Sequence, residues 1–449
     1  MSAENPTFAI ISQGCAANFG DGERIARALA AQHPNSRILF SLPDRGSPES
    51  DCGKAPDIIY LNVCTVKGNA GAIKLLRNAL EAFPESTIFI TGCAPKDFRE
   101  EVARITDKVT YTSHEEVTAR FRVPGSLSGA GSSRNDVKSD GRNDALRESP
   151  YVGIVNIEEG CLDACAFCST HLVKGRLRSY SPEAIEHQVQ RLVDDGCKEI
   201  QLTGQDCACY GFDIGTDLAE LTQRILTHVT GNYKIRLGMG NPRHIRPYQD
   251  ALLDCFADER LYKFIHVPVQ SGSDRVLAAM NRRHTVEDYT RVADAIAERF
   301  GDRFTLSTDL IVGHPGESPA DFEQTLRLVE RTRPTVANIT RYVPRPGTPA
   351  ARYEAGASPE YAPVPDSVKH ERSAILATTF QRIAEENNRK WVGTECTVVT
   401  EKRGHREGTT ICRNDAYRPV AVQGDYPAGT SLKVRITGAE PFALIAEIL

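Results

Sequence analysis

Short apolar runs alternate with longer amphipathic stretches over most of the chain, a pattern typical of α/β structure with parallel strands. Before residue 124 the pattern predicts strands at Thr7–Ser12, Arg37–Leu42, Asp57–Val63 and Thr87–Thr91. It predicts helices at Gly20–Gln32, Val66–Phe83 and Lys96–Ile105. Because helices separate the strands along the chain, we expect a parallel sheet with crossover helices.

The same alternation resumes after residue 150. The pattern predicts six strands at Tyr151–Ile157, Glu199–Thr203, Lys234–Gly238, Lys263–Val267, Phe304–Val312 and Val336–Val343. It predicts five helices between them, at Pro182–Asp194, Asp217–Val229, Ile245–Phe256, Val286–Phe300 and Pro319–Thr332. This number of units indicates a partial (β/α) barrel, with an open doubly wound sheet as the alternative.

Two segments interrupt the alternation. The 26 positions Pro124–Ser149 hold 6 Ser and 4 Gly and few aliphatic residues, which predicts a flexible linker. Pro344–Pro365 is a second break, followed by a helix at about Ser367–Asn388. The last 60 residues are short β-type runs, which favour a small all-β barrel. We therefore predict an α/β domain at 5–123, a linker at 124–149, a partial barrel at 150–376 and a β-barrel at 389–449.

Composition narrows the class of protein. The 449 residues carry 54 basic and 59 acidic side chains, a net charge of −5, which argues against a general polyanion binder but leaves local basic patches open. No apolar run is long enough to span a membrane, and the N-terminus has no signal-peptide pattern, so we expect a cytoplasmic protein without membrane contact. The 13 cysteines then indicate metal ligation or reactive thiols rather than disulfides.

Three cysteines directly follow the first predicted strand of the barrel. Cys161, Cys165 and Cys168 have the spacing C-x3-C-x2-C in the segment GCLDACAFCSTH. Three thiolates on a short loop can hold three irons of a [4Fe–4S] cube and leave the fourth iron open. The alternative is a zinc site with His171 as its fourth ligand. Active sites of barrels lie at the carboxyl ends of the strands, which favours the cluster.

This motif resembles that of the radical S-adenosylmethionine superfamily. The resemblance implies that the open iron binds S-adenosylmethionine through its amino and carboxylate groups. It also implies that the reduced cluster releases a 5′-deoxyadenosyl radical, which removes hydrogen from an unactivated carbon. By position in the family, Gln205 and Asp206 would accept hydrogen bonds from the methionine amino group. Gln270 and Ser271, which follow a predicted strand, are candidates to hydrogen-bond the nucleoside, and Gly313 would let the backbone approach the adenine, as glycine often does near ligands. The alternatives are a turn-capping role for Asp206 and an ordinary turn at Gly313.

Three further cysteines lie at the carboxyl ends of predicted strands in the first domain. They are Cys15, Cys64 and Cys93. Strand ends of a parallel sheet converge on one crevice, so these thiols suit a second incomplete cube, with buried structural cysteines as the alternative. Cys52 lies in a polar stretch and fits the pattern less well.

The segments SQGCAAN, LNVCTVKGNA and TGCAPK resemble the N-terminal domain of the methylthiotransferases, in which three such cysteines carry a second [4Fe–4S] cluster. The resemblance extends over nearly the whole chain and is greatest to the archaeal and eukaryotic branch that acts on N6-threonylcarbamoyladenosine in tRNA. The final β-type runs resemble its RNA-binding TRAM barrel. The chain departs from the family at Cys207-Ala208-Cys209, for which we expect incidental small residues, with contact to a cluster as the alternative.

The resemblance implies that the enzyme converts N6-threonylcarbamoyladenosine 37, in the anticodon stem-loop of tRNA, to its 2-methylthio derivative. The cluster on Cys161, Cys165 and Cys168 would make the radical, and the cluster on Cys15, Cys64 and Cys93 would hold a sulfur methylated by a second S-adenosylmethionine. An unidentified electron donor and an unidentified sulfur donor are also implied. The alternatives are a methylthiotransferase that acts on a ribosomal-protein aspartate and a non-catalytic iron–sulfur RNA-binding protein.

Basic residues in the predicted loops at the strand ends support a polyanionic substrate. We expect these residues to surround the barrel mouth: Lys174, Arg176, Arg178, Arg243, His244, Arg246, Arg282, Arg283, His284, Arg341 and Arg345. The β-type segment adds Lys402, Arg403, His405 and Arg406. Trp391 is expected to be a core residue.

Overall fold

The computed structural model describes residues 6–42, 55–64, 69–113, 116–117 and 146–449. The chain folds into two compact units. The first comprises residues 1–156 and 172–175, and the second comprises residues 157–171 and 176–449. Most of the predicted linker 124–149 and Cys52 lie outside the described residues. The helices that the structure describes are all too short or too polar to cross a membrane.

A five-stranded parallel sheet forms the first unit, as predicted. Its strands are β1 (Thr7–Ser12), β2 (Arg37–Leu39), β3 (Ile58–Cys64), β4 (Thr87–Cys93) and β5 (Val109–Tyr111), in the order β2-β1-β3-β4-β5. Its helices are α1 (Ala16–Gln32), α2 (Ala70–Ala82) and α3 (Lys96–Ala103). Alternate residues of the central strands, such as Ile59 and Leu61, are buried against Leu76 of α2. The edge strand β5 was not predicted, because three residues carry too little periodicity.

Strands and helices also alternate in the second unit. A further strand of the first unit, β6 (Val152–Asn156), leads into it. The strands of the second unit up to residue 341 are β7 (Glu158–Glu159), β8 (Arg178–Ser179), β9 (Glu199–Thr203), β10 (Lys234–Leu237), β11 (Phe264–His266), β12 (Thr305–Val312) and β13 (Val336–Arg341). The helices from residue 170 to 354 are α4 (Thr170–Lys174), α5 (Pro182–Asp194), α6 (Leu218–His228), α7 (Pro242–Ile245), α8 (Gln249–Cys255), α9 (Asp274–Ala279), α10 (Val286–Phe300), α11 (Pro319–Thr332) and α12 (Pro349–Glu354).

Strand order favours a barrel over a doubly wound sheet. β9 pairs with β10 in parallel, a bridge between Ile235 and Leu261 connects β10 to the segment before β11, and β11, β12 and β13 pair in parallel. Neighbours in space are thus neighbours in the chain, whereas a doubly wound sheet reverses its order at a switch point.

Capping residues explain which helix boundaries were predicted well. Ser181 caps α5 with Pro182 at its first position, and Thr285 and Ser318 form capping boxes with Asp288 and Asp321. The predicted helix Ile245–Phe256 is wrong in part, because Pro247 interrupts it and leaves the short helices α7 and α8. The predicted break at 344–365 contains α12.

A closed barrel of antiparallel and parallel strands ends the second unit, after helix α13 (Asp366–Arg389). Its strands are β14 (Glu395–Arg403), β15 (Thr409–Arg413), β16 (Pro419–Gln423), β17 (Ser431–Glu440) and β18 (Ala443–Ile448), in the order β14-β15-β16-β18-β17. Inward residues such as Val398, Val434 and Leu444 are fully buried. Trp391 belongs to this core, as predicted, and is 5% exposed.

Tyr417 connects the C-terminal barrel to the (β/α) part of the same unit. Its hydroxyl donates a hydrogen bond of 2.8 Å to Glu199 on β9, and its ring lies edge-on to Tyr262. The residue also has φ of +59°, which is unfavourable for a non-glycine residue. The hydrogen bond and the ring contact therefore hold a strained turn in place.

Replacing Tyr417 with Phe is expected to lower the free energy of unfolding by about 1–2 kcal/mol, because the buried Glu199 carboxylate loses a donor. Thermal unfolding followed by circular dichroism measures the loss. Tyr426→Phe is the matched control, since the Tyr426 hydroxyl has no hydrogen-bond partner in the described part of the chain. Equal midpoints for the two variants would contradict this role of Tyr417.

Candidate metal centres

Cys15, Cys64 and Cys93 meet at one edge of the first unit's sheet. Cys64 and Cys93 end β3 and β4 and are paired in register. Gly14 precedes Cys15 with φ of +112°, and a Cβ atom at Gly14 would lie 2.7 Å from Cys64 Sγ. Only a glycine at position 14 therefore lets the backbone next to Cys15 pack this closely against Cys64.

Side-chain hydrogen bonds hold the loop that carries Cys15. Asn18 Nδ2 donates to the carbonyls of Gln13 and Val63, at 2.9 Å each. These bonds join the start of α1 to the end of β3. Sequence reasoning did not identify Asn18, because its burial follows only from the fold.

The environment of these thiols is crowded and graded in exposure. Cys15 is exposed, Cys64 is partly buried and Cys93 is buried. The pKa of the Cys93 thiol is raised to about 12, first by burial and then by the nearby thiols of Cys64 and Cys15. The Lys174 ammonium lowers the same pKa and so opposes part of this rise. Metal binding would displace the thiol protons, and the positive charge of the metal would offset the repulsion between the resulting thiolates. The three side chains therefore fit a metal cluster.

Cys161, Cys165 and Cys168 lie on a loop of the second unit. The N–H of Cys168 donates to the carbonyl of Cys165 at 3.1 Å, which makes a turn. The N–H of Ala166 donates to the carbonyl of Met280 at 2.8 Å, and the Ala166 carbonyl accepts from Ala350 at 2.9 Å. All three cysteines are half-buried, so the loop is anchored while its thiols remain accessible.

Donors already point at two of these sulfurs. The N–H of Asp163 lies 3.4 Å from Cys161 Sγ, and Arg282 Nη1 lies 3.5 Å from Cys165 Sγ. The pKa of Cys161 is lowered, chiefly by a hydrogen bond from the Cys209 thiol and against burial. Burial raises the pKa of Cys165 to about 11, with Arg282 opposing it. Such donors stabilise thiolates bound to iron, so this loop also fits a cluster.

Gln205 and Asp206, which follow β9, are both hydrogen-bonded within the second unit. Gln205 Oε1 accepts from the N–H of Gly160 at 2.7 Å. Asp206 Oδ1 accepts from the N–H of Asn241 at 2.9 Å, and Oδ2 lies 2.7 Å from His244 Nδ1. The Asp206 side chain therefore does not cap the following turn. It belongs to a buried network near Cys161.

Two members of that network were not predicted. Glu158 is 1% exposed and accepts from the N–H of Asp206 at 3.0 Å, and burial raises its pKa well above the usual range. Asp163 accepts from Asn241 Nδ2 at 2.8 Å. Glu158 precedes the cysteine motif and Asp163 lies within it, but acidic residues are expected at the surface until their burial is known.

The basic-rim prediction is wrong for two histidines. His244 and His284 are each 3% exposed. His244 is bound to Asp206, and His284 Nε2 lies 3.1 Å from the carbonyl of Val269. Burial lowers the pKa of His284 to about 3, so that ring is neutral and contributes no charge to a rim.

Gln270 lies in the segment after β11 and Gly313 directly follows β12, and both have backbones in the left-handed region. Gln270 has φ of +76°, is buried, and exchanges backbone hydrogen bonds with Asp309 and Ile311. Gly313 has φ of +74°, and a Cβ there would clash with the side chain of Lys369. Packing against Lys369 thus explains the glycine, whereas strain at the buried Gln270 is typical of functional positions.

Comparison with known proteins places this architecture in a family. The family model of the radical SAM superfamily matches residues 155–329, and that of the TRAM domain matches residues 389–449. The fold is similar to the solved structure of TsrM, a radical S-adenosylmethionine methyltransferase from Kitasatospora setae, with a TM-score of 0.53, 12% identity, and coverage of 79% of this chain and 75% of that chain.

Two curated relatives resemble the chain over nearly its whole length. A probable threonylcarbamoyladenosine tRNA methylthiotransferase from Pyrococcus horikoshii is 34% identical over 98% of this chain and 99% of its own. The threonylcarbamoyladenosine tRNA methylthiotransferase of Drosophila melanogaster is 31% identical over 97% of this chain and 76% of its own. The chain therefore belongs to the threonylcarbamoyladenosine tRNA methylthiotransferase family.

Proposed function

We propose that this enzyme converts N6-threonylcarbamoyladenosine 37 in the tRNA anticodon stem-loop to its 2-methylthio derivative, with S-adenosylmethionine as cosubstrate. The observation that carries the proposal is the grouping of three cysteines at one edge of the first unit's sheet and of three more in one loop of the second unit, in a chain that is homologous to such enzymes along its length. The C2–H of adenine has no useful acidity and no leaving group, so a cofactor must supply the difficult step.

Cys161, Cys165 and Cys168 would hold the radical SAM cluster. When bound, this cluster supplies the electron that cleaves S-adenosylmethionine to the radical that attacks C–H bonds. The chain's own contribution would be electrostatic, because the Asp163 N–H and the Arg282 guanidinium donate to the sulfurs of Cys161 and Cys165 and would stabilise negative charge on a bound cluster. Met280 and Ala350 hold the loop through backbone hydrogen bonds.

Gln205, Asp206, Gln270 and Gly313 remain our proposed contacts to S-adenosylmethionine. Asp206 already accepts from Asn241 and His244, but a carboxylate has about four acceptor sites and can accept an amino group in addition. His244 would then fix the orientation of the carboxylate. The Gln205 side chain is held beside Gly160, next to the first cluster cysteine.

Cys15, Cys64 and Cys93 would hold a second [4Fe–4S] cluster, which would carry the sulfur that is transferred to the adenine. The close approach of Gly14 to Cys64 supports this assignment, because a side chain at residue 14 would occupy the space of the Cys64 sulfur. Exposed Cys15 would give the cluster access to solvent and substrate, whereas buried Cys93 would protect its other side.

The C-terminal barrel is the proposed contact to the stem-loop. Its basic side chains Arg403 and Arg406 are exposed and, among the described residues, pair with the surface acids Asp425 and Glu440. Such pairs contribute little stability and can exchange for phosphates. Phe442 is 63% exposed on the same barrel and offers a face for base stacking. The electron donor, the sulfur donor, a cytoplasmic location and the domain boundaries remain predictions.

Single cysteine variants should separate the two steps. We expect the anaerobically reconstituted enzyme to form the 2-methylthio nucleoside and 5′-deoxyadenosine with N6-threonylcarbamoyladenosine-containing tRNA. Cys161→Ala should lower both by at least about a hundredfold, whereas Cys64→Ala should lose only the nucleoside product. Mass spectrometry of digested tRNA and of small molecules measures both.

Cys396→Ala, a substitution on β14 of the C-terminal barrel, is the control and should keep both products. Full product from Cys64→Ala would refute the division of labour. If a ribosomal-protein aspartate became methylthiolated while the tRNA stayed unchanged, the proposed substrate would be refuted. If the wild-type enzyme formed no 5′-deoxyadenosine, catalysis itself would be refuted.

Gly14→Ala is expected to displace Cys64 and remove one cluster. Iron per reconstituted chain should fall from about eight to about four, since two cubes require about eight irons. Gly71→Ala is the control, because a Cβ there meets no atom within 4 Å among the described residues. Eight irons in the Gly14 variant, or four in the wild type, would contradict the second cluster.

Arg282→Gln should make the midpoint potential of the radical SAM cluster more negative, on the order of tens of millivolts, because a nearby positive charge favours the reduced cluster. A redox titration followed by electron paramagnetic resonance measures the shift. Arg283→Gln removes the same charge from an exposed neighbour and should leave the potential unchanged. Equal shifts in both variants would show a nonspecific charge effect.

A further inference from the structure

Cys207 and Cys209, which depart from the family pattern, face different surroundings. They form a short 3-10 turn after β9, and both are fully buried. Cys207 Sγ lies 3.9 Å from the carbonyl of Leu202, within the sheet. Cys209 lies on the side of Cys161 and Asp206. The two thiols are therefore chemically distinct in spite of their shared burial.

Cys161, Asp206 and Cys209 form a compact set of metal-ligand atoms. The two sulfurs and one carboxylate oxygen all lie within 4.8 Å of one another, and no other such set is found in the part of the chain that the structure describes. In a tetrahedral site with bonds of about 2.0–2.3 Å, ligand atoms lie roughly 3.3–3.8 Å apart. Small side-chain rotations would therefore bring these three atoms to that spacing.

The surroundings of Asp206 resemble a second coordination shell. The Asp206 carboxylate is oriented by the Asn241 N–H and by His244 Nδ1. The N–H of Cys209 donates to the backbone carbonyl of Asp206 at 3.0 Å. Outer hydrogen bonds of this kind fix the direction of metal-binding carboxylates. Cys161 is half-buried whereas Asp206 and Cys209 are buried, so Cys161 is the most accessible of the three ligands.

We propose that Cys161, Asp206 and Cys209 bind one thiophilic divalent cation of the Zn²⁺ type when the cube is absent. Each residue supplies one ligand, a water completes the coordination, and the two thiols release two protons. Cys161 cannot ligate this cation and the cube at once, so the two occupancies exclude each other. The exclusion rests on the proposed function, which places the cube on Cys161, whereas the cation site itself does not.

Cobalt(II) provides a spectroscopic test on the full-length, iron-free chain. Cys15, Cys64 and Cys93 are first replaced by Ser, and circular dichroism checks the fold. We expect one Co²⁺ per chain with a thiolate-to-cobalt charge-transfer band, and Cys209→Ser should halve the band and weaken binding at least about tenfold. Cys207→Ser is the matched control and should leave both unchanged.

Cys165→Ser and Cys168→Ser test whether cobalt binds instead to the cysteines of the cluster loop. Our proposal predicts that neither changes the band, and loss of the band in either variant with retention in Cys209→Ser would overturn the proposal. X-ray absorption of the Zn²⁺-loaded parent needs no variant at Cys209. Two sulfur and two oxygen or nitrogen ligands are expected, and three sulfurs would equally overturn it.

Cluster assembly tests the exclusion separately. Equimolar Zn²⁺ added before iron and sulfide should slow the appearance of the cluster absorption in the parent protein but not in Cys209→Ser. Equal delay in both would overturn the exclusion. If the parent protein, with Cys15, Cys64 and Cys93 replaced by Ser, assembled no cluster even without Zn²⁺, this would count against the proposed function. The cobalt experiment would still test the cation site.

Discussion

Parallel strand pairing is the constraint on which both candidate centres depend. A parallel ladder brings the carboxyl ends of neighbouring strands to one edge, so Cys64 and Cys93 are adjacent although 29 positions separate them in the chain. The second unit repeats the rule, because the loops after β9 and β10 carry Asp206 and Asn241, which are hydrogen-bonded to each other. Residues far apart in the chain become neighbours without any long-range motif.

Buried acids impose a second constraint, beside the cysteine loop. Glu158, Asp163 and Asp206 are almost inaccessible, and an unpaired buried carboxylate is costly. Burial raises the pKa of Glu158 well above its usual range, which favours its neutral form. Burial opposes protonation of His244, but the hydrogen bond and charge of Asp206 raise the pKa of that ring. This compensation holds Asp206 in one direction, towards Cys161 and Cys209.

Sequence reasoning succeeded where a local signal specifies local geometry. Capping residues such as Ser181 and Thr285 mark helices whose boundaries match the structure, and apolar runs mark the strands. It did less well where the signal is short or contradictory. β5 has three residues, and Pro247 lies inside an otherwise helical pattern. For the site, the predicted strand ends placed Cys64 and Cys93 side by side, as the structure has them, but charge alone misplaced His244 and His284, which the fold buries.

The amino-acid sequence by itself determined the alternation of strands and helices, the positions of six cysteines at strand ends or in one tight loop, and the family of the chain. These features depend on periodicity, spacing and residue type, which are properties of neighbouring positions. Only the tertiary structure decided that Cys209 faces Cys161 while Cys207 faces Leu202, and that Asp206 is held by His244. Those contacts follow from packing between separate segments, and no local pattern encodes the direction of a buried side chain.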